Sequence, residues 1–219
     1  MRIRFHQSLD DLKEKLLVMA GMAEQAIQRA IEAYRVRDTS ICDLVMRGEL
    51  AINRLEREID QMALDLLAME QPMAIDLRFI LAVIKINADL ERVGDQAVNI
   101  AERVCDLNAF AAAELPVDIP HMAEIASSMV RKALQSFIEG DAEMAQSVLV
   151  MDDQVDKINE GAYYSLSTLI KEQPALTSQA LNALVISRNL ERVGDHATNI
   201  AEDVIFWVRG ADVRHHQSV

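Results

Sequence analysis

Residues 90–102 read LERVGDQAVNIAE, and residues 190–202 read LERVGDHATNIAE. The two stretches lie one hundred positions apart and differ only at Gln96/His196 and Val98/Thr198. On a wheel advancing about 100° per residue, Leu90, Val93, Ala97, Ile100 and Val104 fall on one line. Leu190, Val193, Ala197, Ile200 and Val204 do the same, with Trp207 continuing that line. Apolar residues at this spacing are the core-facing stripes of packed helices. Each stretch also holds a glycine, Gly94 or Gly194, inside its helix, where glycine costs about 1 kcal/mol relative to alanine. The reading that follows is long helices, present in duplicate.

The repeat extends outward from there. MAE at 22–24 returns at 122–124, and EQP at 70–72 returns at 172–174. Asp38, Ile41, Val45, Glu49, Ile52 and Leu55 recur as Asp141, Met144, Val148, Asp152, Val155 and Ile158 at an offset of 103. The offset drifts between 100 and 103, as small loop insertions would produce. Pro72, Pro116, Pro120, Pro174 and Gly140 fall where helices should end. The pattern predicts six helices, over 8–36, 40–70, 73–107, 119–138, 142–172 and 175–208, with Asp38 and Asp141 capping the second and fifth. The tail from Gly210, including His215 and His216, is expected to fray. A period near one hundred is domain duplication rather than a solenoid repeat. The expected architecture is all-α: two tandem pseudo-symmetric three-helix bundles, 1–113 and 114–219, joined through AAAELPVDIP (111–120).

Composition agrees. The 219 residues can bury a sizeable core. Hydrophobic residues reach 51% while aromatics are only 4%, with 7 Gly and 4 Pro, a balance that favours helix over sheet. A net charge of −13 argues against a nucleic-acid backbone or an anionic membrane as direct partner. It suits cations, or a partner with a basic surface. Cys42 and Cys105 read as two isolated thiols, too few and too separated along the chain for a disulfide framework. The N-terminal MRIRFHQSLDDL has no apolar leader, and no apolar run approaches the roughly 18 residues a membrane span needs. A cytoplasmic protein without membrane insertion is expected.

Glu91, Asp95, Asn99 and Glu102 occupy an arc of roughly 80° on the side away from the apolar stripe, and Glu191, Asp195, Asn199 and Glu202 repeat it. A solvated face is the default for such a row. Solvated faces, however, normally interleave Lys or Arg, whereas Glu91/Asp95 and Glu191/Asp195 are like charges at i and i+4, costing a few tenths of a kcal/mol each. A cation turns a repulsive row into a ligand set, and carboxylate and amide oxygens are hard donors suited to Mg, Ca, Mn or oxidised iron. A basic patch on a partner is the alternative use. The interior glycines imply close approach by another backbone or a bulky ligand. His196, beside the row, reads as a solvent-facing helix histidine, with metal ligation as the alternative. Glu49, Asn53, Glu56 and Asp60, matched in part by Asp152, Asp156 and Asn159, read as a charged exterior that adds ligands only if the helices adjoin. Arg78 reads as a partner contact or as an ion pair with Asp76 or the second helix. The Glu-x-x-His signature of di-iron bundles is absent. So are a Gly-rich phosphate loop, a nucleophile elbow and a Cys-x-x-Cys pair, and no catalytic residue is assigned.

ERVGD at 91–95 and ERVGD at 191–195, each followed by an Asn-Ile-Ala-Glu run, resemble the signature of the PhoU family, two (Glu/Asp)-x-x-x-Asp motifs in the third and sixth helices. LLAMEQPMAIDLRFILAVIKINADLERVGD (66–95) also resembles that family's third helix and the turn before it, and the resemblance covers essentially the whole chain. It implies multinuclear metal clusters on the motif faces, carried here by Glu91, Asp95, Glu191 and Asp195, with Asn99, Glu102, Asn199 and Glu202 as further candidates. Iron or zinc is the expected cofactor, with manganese or magnesium next. It further implies a non-enzymatic cytoplasmic homodimer that represses phosphate-starvation signalling and restrains phosphate uptake. Its partners would be the ATPase of the phosphate ABC transporter and the phosphate-sensing histidine kinase. Two rivals stand beside it: a metal-dependent hydrolase or phosphatase using the same carboxylates, and a structural scaffold whose acids only solubilise it.

Overall fold

Aspartates open three of the helices. Asp38 accepts the backbone N–H of Ser40 at 2.8 Å, Asp141 accepts those of Glu143 and Met144 at 2.9 and 3.0 Å, and Asp118 accepts that of His121 at 3.0 Å. Each such cap contributes about 1 kcal/mol. In the computed structural model, which describes residues 2–213 with side chains from Phe5 onward, the helices are α1 (Arg2–Val36), α2 (Thr39–Glu70), α3 (Ile75–Asn108), α4 (Ile119–Glu139), α5 (Ala142–Glu172) and α6 (Thr177–Arg209). Gly140 and Gly210, at φ of 65° and 69°, terminate α4 and α6 in the left-handed conformation. The described residues are 89% helical and contain no strand, against roughly a third helix in an average globular protein. His215 and His216 lie outside the described residues.

Three boundaries differ from expectation, each for a local reason. α1 starts at Arg2 rather than near residue 8, because Phe5 and Leu9 extend the buried line of Leu12, Leu16 and Met19 by a further turn and more. α3 starts at Ile75 rather than Met73: Pro72 sits in a turn whose flanking residues Gln71 and Ala74 take φ of 46° and 51°. A 3-10 turn, Pro174–Leu176, precedes α6.

α1–α3 and α4–α6 form two matching three-helix units that share one hydrophobic core. The most extensive helix–helix interface joins them, α3 against α6. Along it, Arg78 reaches Trp207, Lys85 reaches Asp203 and Asp89 reaches His196. The partner number falls as the α3 number rises, so the two helices run antiparallel. α1 and α4 also run antiparallel, with Lys13 on the Ile138 carbonyl and Glu24 on Arg131. An approximate two-fold axis therefore relates the halves. The expected stripes are the core: Leu90, Val93, Ala97, Ile100, Val104 and their five counterparts on α6 are fully buried. Trp207 closes one end, with Phe79 and Phe137 at ring-centre distances of 5.2 and 5.5 Å. Each such pair contributes about 0.5–1.5 kcal/mol beyond its buried area. Together the three rings join α3, α4 and α6.

Arg78 departs from its sequence reading. It is bonded neither to Asp76 nor to α2; its Nε donates to the Trp207 carbonyl at 3.1 Å. A guanidinium at the C-terminal end of α6 satisfies a carbonyl the helix cannot pair and meets the negative end of its dipole.

Candidate functional site

Gly94 and Gly194 are where the site begins. A Cβ at Gly94 would stand 3.0 Å from Cδ1 and 3.4 Å from Cγ2 of Ile52 on α2. One at Gly194 would stand 3.3 Å from Oδ1 of Asp152 on α5 and 3.6 Å from Cε of Met129. The close approach that the interior glycines implied is real, and its agent is a side chain of the neighbouring helix. With the glycines in place, α2 lies close on α3 and α5 close on α6, so the polar stripe of each outer helix is carried up against the acid row of its inner neighbour.

The result is a groove in each half that draws acids from two helices. In the second half, burial and then its neighbours Asp156, Asp195, Glu191 and Asp153 push the Asp152 carboxyl up to about 6. Glu191 is also raised, by burial first and then by Asp195 and Asp156, against Arg188 and Arg192. Asp195 is raised by burial and Asp156, with His196 and Arg192 opposing. In the first half burial raises Glu91, and Asp95, Glu56 and Glu49 add to the effect while Arg92 opposes it. In the first half the motif acids do not stand on a solvated face, the side chains of Glu91 and Asp95 being 18% and 30% exposed; in the second half Glu191 is half-buried and Asp195 exposed. Desolvation and mutual repulsion both disfavour the charged carboxylates, and the nearest cation, Arg92, holds Glu91 and Asp95 only at 3.6 and 3.8 Å with its own side chain in solvent.

Glu49, Asn53 and Glu56 are the first-half members on α2, and Asp152, Asp156 and Asn159 are their counterparts at the constant offset of 103. From sequence these stripes read as a charged exterior that adds ligands only if the helices adjoin, and in the fold the helices do adjoin. The detectable signal was the shared i, i+4, i+7 spacing in both halves, together with the glycines facing them. In both grooves the inner helix secures the outer one. Asn87 donates to the Glu56 carbonyl and to Asp60 Oδ1, both at 2.9 Å, and Ser187 donates to Asn159 Oδ1 at 2.8 Å.

Two oxygens bear on cation binding. Asp152 Oδ1 and Asn53 Oδ1 are buried, yet no hydrogen-bond donor reaches either. A buried oxygen left without a donor costs about 1–3 kcal/mol, and a cation removes that cost while relieving the repulsion around it. The all-oxygen donor set therefore fits a hard cation. Among the described residues no three His, Cys, Asp or Glu side chains converge as a preformed chelate.

The remaining candidates are placed differently. Asn99 is exposed, and Glu102 lies beside Arg103 at 3.6 Å, two turns or about 10 Å beyond Asp95. Asn199 donates to Asp89 Oδ1 at 3.1 Å, and Glu202 is half-buried. His196 is not solvent-facing: its Nδ1 lies 2.8 Å from Asp89 Oδ1 on the α3–α6 seam. One residue past Asp195, it is rotated about 100° around the helix, from the α5 side toward α3. Gln96, its counterpart, is likewise buried.

Comparison with known proteins comes to bear on this arrangement. Residues 16–104 and 119–204 each match the PhoU domain. A protein of Pseudomonas aeruginosa named as a phosphate-specific transport system accessory protein PhoU homolog is 39% identical, over 97% of this chain and 88% of its own length. One of Aquifex aeolicus with the same name is 35% identical, over 97% and 96%. The crystal structure of PhoU from Pseudomonas aeruginosa superposes with a TM-score of 0.90 at 38% identity, covering 94% of this chain and all of that one. The phosphate transport system regulatory protein PhoU from Streptococcus pneumoniae superposes with a TM-score of 0.88 at 27% identity, covering 95% and 99%.

Proposed function

The chain belongs to the PhoU family, and on that footing we propose that it restrains phosphate uptake and represses phosphate-starvation signalling as a cytoplasmic homodimer. The observation that carries the reading is the family match in both halves, whose motif acids fall at equivalent places in two equivalent grooves. It acts stoichiometrically, by contact with the ATPase of the phosphate ABC transporter and with the sensor histidine kinase, and catalyses no reaction of its own. None of the described helices is long and apolar enough to cross a membrane, which accords with a partner that docks on a membrane complex from the aqueous side.

Each repeat unit, 1–113 and 114–219, holds its own metal site. Glu91 and Asp95 with Glu49, Asn53 and Glu56 form the first donor set, and Glu191 and Asp195 with Asp152, Asp156 and Asn159 form the second. Oxygen donors without sulfur or a groove imidazole favour oxidised iron, manganese or magnesium over zinc. The cation supplies charge neutralisation and a rigid link between the two helices of each groove. The chain's own residues set the rest: Gly94 and Gly194 admit the outer helix, and Asn87 and Ser187 fix its rotation.

The test has two arms. Elemental analysis of protein purified without chelator, after deletion of the 214–219 tail with its two histidines, should find metal that the Asp95→Ala/Asp195→Ala variant lacks. Capture assays with the transporter ATPase and the kinase should lose strength in that variant, and a phosphate-ester hydrolysis assay run alongside should show no turnover. Undiminished binding to both partners by the variant refutes the role given to these acids. Metal-dependent turnover abolished by the same substitutions would favour a hydrolase instead.

A further inference from the structure

The two cysteines of the chain, isolated in sequence, meet in the fold. In the antiparallel register that sets Ile52 against Gly94 and Asp60 against Asn87, Cys42, in the first turns of α2, falls level with Cys105, near the end of α3, and both pack into the same core cluster. Their encounter follows from the corner above them. Arg37, between α1 and α2, donates to the carbonyls of Leu107 and Phe110 at 3.3 and 2.5 Å, drawing the start of α2 to the end of α3. Cys42 is fully buried, whereas Cys105 is half-buried at the edge of the core.

The duplication supplies an internal control. The repeat offsets of 103 and 100 place Ala145 and Ile205 at the corresponding positions of the second half, both fully buried. Plain apolar side chains therefore satisfy the packing at this level of the bundle. Nothing in the fold calls for sulfur at both positions of the first half.

We propose that Cys42 and Cys105 form a redox modification site, a thiol pair that a hydroperoxide converts to an intramolecular disulfide joining α2 to α3. Cys105 leads. Burial and the contact with Cys105 push the Cys42 thiol up to about 12, so it stays protonated near neutrality, and the accessible thiol is the one that oxidants reach. The Cys105 sulfur attacks the outer oxygen of ROOH, the O–O bond breaks, ROH leaves, and Cys105 becomes the sulfenic acid. The Cys42 sulfur then attacks that sulfur. The S–O bond breaks, and the departing hydroxide takes the Cys42 proton as water. Two thiols are oxidised by two electrons and one hydroperoxide is reduced to alcohol and water. The bond pins α2 against α3 two turns, or about 10 Å, before Glu49. It stiffens the first groove and leaves the second unconstrained.

The experiment uses the full chain, reduced and then exposed to graded hydrogen peroxide, with alkylation under denaturing conditions and peptide mass spectrometry. Both thiols should disappear together, with a Cys42–Cys105 linked peptide that dithiothreitol releases and no covalent dimer. In Cys42→Ala, a substitution the second half already carries at Ala145, the same dose should leave Cys105 as sulfenic or sulfinic acid. Three outcomes overturn the proposal in wild-type protein: Cys105 over-oxidised while Cys42 still alkylates, an interchain crosslink, or two thiols surviving a dose that oxidises them in the unfolded chain.

Discussion

Replacing Asp152 with asparagine should make the chelator-treated protein more stable, although it deletes a side chain from the candidate site. The Asp152 carboxyl stands at about 6 against its ordinary 3.8, so between about pH 4 and 6 the native state binds more protons than the unfolded chain. Stability contributed by this group therefore falls as pH rises through that window, and the full penalty is present above about pH 7. A rise of about two units corresponds to about 3 kcal/mol. The carboxyl is only partly withdrawn from water, and screening reduces this to roughly 1–2 kcal/mol. For a chain of this length that is about 3–6 °C in Tm. Thermal melts of wild type and Asp152→Asn in EDTA, from about pH 4 to about pH 8, should show the variant melting higher at the alkaline end, with the difference vanishing at the acid end. Adding the bound cation should reverse the order, because wild type then gains binding free energy that the variant lacks. A variant that melts below wild type in EDTA near pH 8, or a difference that ignores pH, would refute the picture of a carboxylate held under desolvation and repulsion.

Gly94→Ala should cost about 1 kcal/mol in a urea titration despite alanine's better helix propensity, because the new methyl meets Ile52, itself only 2% exposed. Ile52→Val removes Cδ1, the nearest atom, so the double variant should recover most of that loss; simple additivity would show that Ile52 is not the obstacle. Arg78→Ala should destabilise by about 1–2 kcal/mol through the unpaired Trp207 carbonyl, and amide exchange should rise in the last turn of α6. A uniform rise along the whole helix, or none, would count against the capping role.

The helices were legible because their stripes are long and doubled. Leu90 to Val104 and Leu190 to Val204 predicted their own burial, and Asp38 and Asp141 announced their caps. What the sequence hid was azimuth between helices. Glu49, Asn53 and Glu56 look alike whether α2 turns them to solvent or toward Glu91, since that rotation is set by contacts with α3, Ile52 on Gly94 and Asn87 on Glu56 and Asp60. Arg78 and His196 were misplaced for a related reason: their partners, the Trp207 carbonyl and Asp89, lie more than a hundred residues away across the two-fold seam. Cys42 and Cys105 were judged by their distance along the chain, which says little about two helices of one hairpin.

The Asp89–His196 contact has a consequence for how two copies of this chain can combine. The antiparallel seam joins unlike halves, and its polar residues are no longer interchangeable: Asp89 and Gln96 on one side, Asn189 and His196 on the other. If two first halves paired through the same surface, each Asp89 would face Gln96 and lose the imidazole. If two second halves paired, each His196 would face Asn189 and lose the carboxylate. Duplication followed by this divergence commits each half to an unlike half across the seam, and discourages assemblies in which two like halves meet through that surface.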